Sequence, residues 1–411
     1  MCLEQINTLG AFVKIHSKKV RLMTGIIALV TSTAYADSRS KARKLYSSLT
    51  GGTANKAKVS ELEALINQNR VKDAAKSIID SNAGFYNVTL KNFYTPMSNE
   101  DGTTLEKLND MTATLIGVTR DESNFFDVFH KNILYRFKGE FKTTTYYLRK
   151  YDKHVPILLR TNNEHYEAAE NHNIPMGDSD VFGPTIQNGY TTLNVNAIAG
   201  IFSTRGWSKA YYEDGTNRAA FAYFAKNFLC LEMEELNDTS IADYRVRRDV
   251  DRTPGGDSKT FKNSCVGCHA GQDALGGAFA YYDFDQGSMR YAEHVGTDSP
   301  VAPKINANNI FADGKIVESD KWENLWAEGQ NSYIGWGSRK EGWGAKDLGK
   351  MFAETKQVRS CLSKKVFEHV CYQSGNTAEN KEIIANLAQQ FDADGNMKNL
   401  FISAAIACLG E

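Results

Sequence analysis

The sequence predicts a mainly α-helical protein, with many helices, long loops and at most a small β-hairpin. Three observations lead to this. Only 7 of the 411 residues are Pro, so long stretches keep every backbone N–H and are free to close helical hydrogen bonds. Apolar residues recur at helical spacing, as in Val59, Leu62, Leu65, Ile66, Ala74, Ala75, Ile78 and Ile79 between residues 56 and 79. Only residues 143–159 mix β-branched and aromatic side chains densely enough to read as a hairpin. Hydrophobic residues at 42% and charged residues at 24% give a globular chain with a real core. Lys plus Arg (48) nearly balances Asp plus Glu (49), which leaves no basic footprint for nucleic acid, and none is expected as a partner.

The N-terminus comes first. Lys14, Lys18, Lys19 and Arg21 form a basic stretch, and residues 22–30 form a short apolar run. Ala34 and Ala36 then put small side chains at the two positions a signal peptidase reads. This is the three-part pattern of a secretory signal, with cleavage expected after Ala36 and a periplasmic or otherwise exported product. The run is too short to span a bilayer. No later stretch reaches eighteen uninterrupted apolar residues, so no integral membrane segment is expected in the mature chain.

The remaining chain divides into an N-terminal helical domain (residues 37–200), a central region (201–300) and a C-terminal loop and helical module (301–411). Residues 37–82, 105–117 and 123–137 read as helical, and residues 162–180 as a polar loop rich in Asn and His. Residues 193–203 and 217–236 read as helices, and residues 249–263 as a Gly- and Pro-bearing loop. Residues 295–345 are loop-rich and hold Trp322, Trp326, Trp336 and Trp343. Residues 346–409 read as helical, broken by a turn at 392–396.

Of the seven cysteines, Cys2 goes with the signal, and Cys265 and Cys268 belong to a motif described below. Cys230, Cys361, Cys371 and Cys408 remain, an even number in an exported chain, which points to two disulfides. Residues 357–372 read as one helix without Pro or Gly. Ten residues of helix rise about 15 Å, whereas a disulfide spans at most about 7 Å between Cα atoms. Cys361 is therefore not expected to pair with Cys371, and the other pairings stay open.

Residues 264–269 read Ser-Cys-Val-Gly-Cys-His, so Cys265, Cys268 and His269 fit C-x-x-C-H, the attachment motif of c-type haem. The two thiols at this spacing present to one edge of a macrocycle and add across its two vinyl groups. The adjacent His then donates a ring nitrogen as proximal iron ligand. A zinc site needs four ligands, usually with a second C-x-x-C or a spaced His pair; no second C-x-x-C exists, and a His directly after the Cys is poorly placed to close around the same small ion. The expectation is one covalent haem c, with His269 on the iron. Candidates for the distal ligand are Met289 and His294, 20 and 25 residues beyond His269, and Met351.

Other signals are thin. His165 and His172, with Glu164 and Asp178 nearby, hold metal-ligand chemistry but read more simply as a polar loop. Asp392, Asp394 and Asn396 imitate the start of a Ca²⁺ loop. Met397 stands where Gly belongs and Ser403 where Glu belongs, so the segment reads as a turn.

The segment CVGCHAGQDALGGAFAYYDFD (residues 265–285) resembles the haem segment of planctomycete-type exported cytochrome c proteins, in which C-x-x-C-H is followed by Asp-Pro-Leu-Gly, then an aromatic and Asp. Asp273, Leu275, Gly276, Phe284 and Asp285 match, and Ala274 replaces the Pro. Residues 217–230 resemble that family's helix ending in Leu-Leu-Cys. Residues 348–400 resemble its C-terminal helical module, and residues 42–52 its N-terminal opening. The resemblance implies a haem and an exported address, and supplies no reaction.

The sequence thus reads as a multi-helix haem-binding protein, with electron transfer to an unidentified redox partner protein as the favoured function. A simple shuttle needs only about 100 residues to wrap a haem, so a rival reading is a haem-dependent oxidoreductase with an open iron and a substrate pocket within residues 85–200. A third is a binding protein whose haem is structural.

Overall fold

The computed structural model describes residues 37–81, 83–159, 161–189, 193, 195–213, 217–245, 257–293 and 319–410. Residues 1–36, where a signal segment is expected, and His294 lie outside them. From Asp37 onward the chain forms one compact unit, about 60% helix and 10% strand.

Three helices open it: α1 (Ser38–Thr50), α2 (Lys56–Asn67) and α3 (Val71–Ser81), which pack on one another. Asn55 caps α2 by accepting from the Lys58 backbone N–H at 2.9 Å. The apolar rhythm through residues 56–79 belongs to two helices. Asn69 takes a left-handed conformation at φ +58° and turns the chain between them. The aromatic stretch that follows is itself helical, a π-turn (Phe85–Leu90) running into α4 (Lys91–Tyr94).

Helix α5 (Asp110–Arg120) is buried along its whole length and sits at the centre of this half. It begins at residue 110 rather than 105 because Asn109 caps it, accepting from the Thr112 N–H at 3.0 Å. Residues 123–137, expected to be helical, instead form a 3₁₀ turn (Phe125–Phe129) and strand β1 (Leu134–Phe137). Glu122 at φ +54° ends α5. The distant strand β5 (Phe182–Thr185) then claims residues 134–137 as an antiparallel partner, a tertiary pairing that no local pattern announces. Strands β2 (Glu140–Lys142), β3 (Thr145–Leu148) and β4 (Lys153–Pro156) form a three-stranded meander where the hairpin was expected. Residues 164–171, read as loop, form helix α6 (Glu164–Asn171). Residues 193–203, expected to be helical, show two 3₁₀ turns (Val195–Ala197 and Gly200–Ser203) among the described residues. Gly200 at φ +58° breaks them, and a Cβ there would strike the Val128 carbonyl.

Helix α7 (Arg205–Tyr211) leads to α8 (Asn217–Phe224), which runs on as a π-turn (Ala225–Leu229) ended by Cys230 at φ +55°. A short α9 (Ser258–Thr260) and a third π-turn (Phe261–Cys265) feed α10 (Val266–Gly276). Strands β6 (Tyr282–Asp285) and β7 (Ser288–Tyr291) form a hairpin. Its two-residue loop, Gln286 and Gly287, has positive φ at both positions, the turn whose twist matches paired strands. After the short pair β8 (Lys321–Glu323) and β9 (Glu341–Trp343) come α11 (Gly344–Glu354), α12 (Lys356–Cys371), α13 (Ala378–Asp394) and α14 (Met397–Ala407). The expected turn near 392–396 is the α13–α14 junction, where Gly395 takes φ +61° and Asn396 caps α14.

An aromatic centre joins the 3₁₀ turn at Phe125–Phe129 to α8 and α11. Phe129 meets Phe202, Phe224 and Phe228, and Phe224 stacks on Phe352 of α11 at 3.6 Å between centroids. The disulfides are Cys230–Cys361 and Cys371–Cys408, with Cα atoms 5.3 and 5.4 Å apart. Cys361 and Cys371 lie on the single helix α12 and do not pair, as helical rise requires. Among the described residues no helix is long and apolar enough to cross a membrane.

Candidate functional site

Helix α10 carries the C-x-x-C-H residues. Its N-terminal end is set by the preceding π-turn, a feature frequent at functional sites, which delivers Cys265 to the N-cap position. Two glycines let the helix dock closely. A Cβ on Gly267 would overlap the Asn237 side chain, and one on Gly271 would overlap the Trp326 ring. The face bearing Gly267 and Gly271 is therefore pressed into the protein. Cys265, Cys268 and His269 stay partly accessible on the other side.

Among the described residues, Cys265 and Cys268 are the cysteines left as thiols, the other four being bridged. The Cys268 thiol donates to the Met233 carbonyl at 3.3 Å. Burial first, then the Glu234 carboxylate and Cys265, raise its pKa, so it stays protonated. Phe261, Val266 and Ala270 form a small apolar cluster beside the motif, separate from the main core, with Ile241 and Cys265 against it.

His269 is held from behind. Its Nδ1 lies 3.2 and 3.1 Å from the two carboxylate oxygens of Asp273, one helical turn on. The Asp273 side chain is fully buried, while that of His269 is 23% exposed. Arg218 of α8 brings a guanidinium nitrogen within 3.4 Å of the same Nδ1 and 3.9 Å of Asp273. Gln272 fixes that helix end by donating to the Arg218 carbonyl at 3.2 Å. With the ring proton on Nδ1 the imidazole donates to the Asp273 carboxylate and Nε2 carries the lone pair; with Nδ1 unprotonated it would instead accept from Arg218. This His–Asp pairing follows the i, i+4 rule and is legible in the sequence once 266–276 is taken as helix. The part played by Arg218 carries no sequence signal.

The other candidates sit elsewhere. Met289, on β7 opposite Phe284, is buried, and its sulfur accepts from the Ser208 hydroxyl at 2.8 Å. Met351 is buried in α11, and its sulfur accepts from Asn324 Nδ2 at 3.4 Å. His165 is no solvated loop residue. It is buried, its Nε2 accepts from the Phe137 N–H at 3.0 Å, and its Nδ1 faces the Pro156 carbonyl at 2.7 Å. Both ring nitrogens are thus occupied in tying α6 to β1 and β4. In the Ca²⁺-like segment Asp392 pairs with Arg359 and Asp394 accepts from the Asn396 N–H. Among the described residues, no three His, Cys, Asp or Glu side chains gather around one point as donors to an ion.

Among the described residues of 85–200, a cleft of about 630 Å³ is bordered by Tyr86, Arg120, Lys150, Tyr151, Asp178 and, from α14, Lys398. Its charges are mostly satisfied internally. Arg120 donates to the Phe182 carbonyl at 2.7 Å and Lys150 pairs with Asp178 at 2.7 Å. Lys398 pairs with Glu122 at 3.1 Å.

Comparison with family models, curated proteins and solved structures gives no match for this chain.

Proposed function

We propose that this chain is an exported monohaem c-type cytochrome in which Cys265 and Cys268 anchor the haem as thioethers, His269 is the proximal iron ligand, and electrons pass to a redox partner protein. One observation carries the reading. The two unbridged thiols and an imidazole whose Nδ1 is engaged by a buried carboxylate lie within one helical turn, with Nε2 left as the donor. A zinc ion would need its donors gathered at one point. Thioether attachment instead needs two thiols along one helix face and a ring nitrogen aimed past them. Bound there, the haem supplies a one-electron Fe(II)/Fe(III) couple. The chain's own contribution is to keep the Cys268 thiol protonated until it adds, fix the imidazole tautomer through Asp273, and shield one side with Phe261 and Val266. The likeness of residues 265–285 to planctomycete-type cytochromes and the export pattern ending at Ala36 support the same reading.

A second reading is favoured by the methionines. The sulfurs of Met289 and Met351 are both engaged in the core, so of the three distal candidates only His294 stands against an oxidoreductase with an open iron face. Binding of carbon monoxide to the ferrous protein separates the two: rapid binding supports the enzyme, and refusal supports the carrier.

The test of the main proposal is production in cells with haem-maturation machinery, followed by a pyridine haemochrome assay and intact mass. One covalent haem is expected, at least tenfold less of it in Cys265→Ser or Cys268→Ser, and none in the double variant. A mature chain with the mass of bare polypeptide and no Soret band ends the proposal.

A further inference from the structure

We infer that Asp273 is a positioning residue that gives the His269 imidazole anionic character and so sets a low reduction potential for the bound haem, with Arg218 limiting the effect. The inference rests on the haem reading and goes beyond it, because it assigns roles to two residues outside the C-x-x-C-H motif.

The geometry carries it. Both Asp273 oxygens lie within 3.2 Å of His269 Nδ1. A backbone carbonyl in that place would be a neutral acceptor; here the acceptor is a carboxylate. Its side chain is fully removed from solvent, so water does not screen the interaction. A carboxylate accepting from the ring N–H pulls the proton toward itself and raises the donor strength of Nε2, a known outer-shell control over a metal-ligating His. A stronger, more negative axial donor stabilises the higher charge of Fe(III) over Fe(II), which lowers the potential. Arg218 stands 3.9 Å from Asp273 and 3.4 Å from the ring. Its positive charge offsets part of the carboxylate's field without displacing it from the ring. Asp273 is on the same helix as His269, one turn away, so the pair moves as a unit. Arg218 reaches it from α8, which packs against α10.

The test uses haem-loaded full-length protein and the variants Asp273→Asn, Asp273→Glu and Arg218→Gln. Two readouts are taken: the reduction potential, and the Fe–His stretching frequency of the ferrous haem, measured on the photolysed carbon monoxide adduct where a sixth ligand is bound. Asp273→Asn is expected to shift the reduction equilibrium at least tenfold toward Fe(II), about 59 mV for one electron, and to lower the Fe–His frequency. Asp273→Glu restores part of both. Arg218→Gln moves both the opposite way, and it keeps the inference open to refutation where the Asp273 variants fail to load haem. Loaded variants whose potential and Fe–His frequency match the parent overturn the inference and leave the haem reading standing. A parent protein without covalent haem overturns both.

Discussion

At the scale of single residues, two histidines show how surroundings divide one side-chain chemistry into two uses. His269 is partly exposed, with its Nδ1 against the Asp273 carboxylate. His165 is buried with both nitrogens committed to backbone groups. Burial, the largest influence on His165, pushes its pKa down from 6.5 to about 4. The folded protein keeps this ring neutral, whereas the unfolded chain takes up a proton below about pH 6.5. Its contribution to stability is therefore complete above pH 6.5 and is lost as the pH falls toward 4, on the order of 3 kcal/mol in all. Burial lowers the pKa of His130 and His369 in the same direction. Urea midpoints at pH 7.5 and 4.5 measure the loss. In His165→Gln the gap between the two midpoints is expected to shrink, and a gap of unchanged size would refute the assignment. Cys265, Cys268 and His269 are legible in the sequence as a candidate site because the proposed thioether chemistry requires that spacing. Arg218 is not, because it lies 51 residues from His269 and meets it only when α8 packs on α10.

At the scale of elements, α10 shows how a site helix is seated. Its glycines at 267 and 271 are places where another group already occupies the Cβ position. Helix propensity alone favours Gly271→Ala by about 1 kcal/mol. The added methyl would overlap the fully buried Trp326 ring, and overpacking of this kind costs about 1–3 kcal/mol. The contact outweighs the propensity because Trp326 has no exposed space to move into. Gly271→Ala should thus be less stable by up to about 2 kcal/mol in chemical denaturation, and a stabilised variant would mean that Trp326 does not pack there. Capped helices such as α2 and α13 are readable from the sequence because 3.6-residue periodicity and caps are local. Strand β1 was not, because its partner β5 lies about 50 residues away and the pairing energy appears only when the two meet.

At the scale of the whole molecule, the two disulfides tie the C-terminal helices to what precedes them. Cys230–Cys361 closes a separation of 131 residues and Cys371–Cys408 one of 37. Chain-entropy arguments assign about 5 and about 4 kcal/mol to such closures, with about 2–5 kcal/mol usual in practice. The double variants Cys230→Ala/Cys361→Ala and Cys371→Ala/Cys408→Ala should each lose stability within that range in urea, the first more than the second. No loss in either, under oxidising conditions, would show that the bridges do not constrain the unfolded chain.

By itself the sequence determined the helical class, the C-x-x-C-H residues and the exclusion of a Cys361–Cys371 bridge. Periodicity, reaction spacing and helical rise all act over a few residues, and so are written locally. The tertiary structure decided which cysteines pair, that residues 134–137 are strand, that His165 is a buried tie, and that Asp273 and Arg218 stand behind His269. Each of those depends on groups far apart in the chain being brought within a few ångströms, and only the packed core sets that distance.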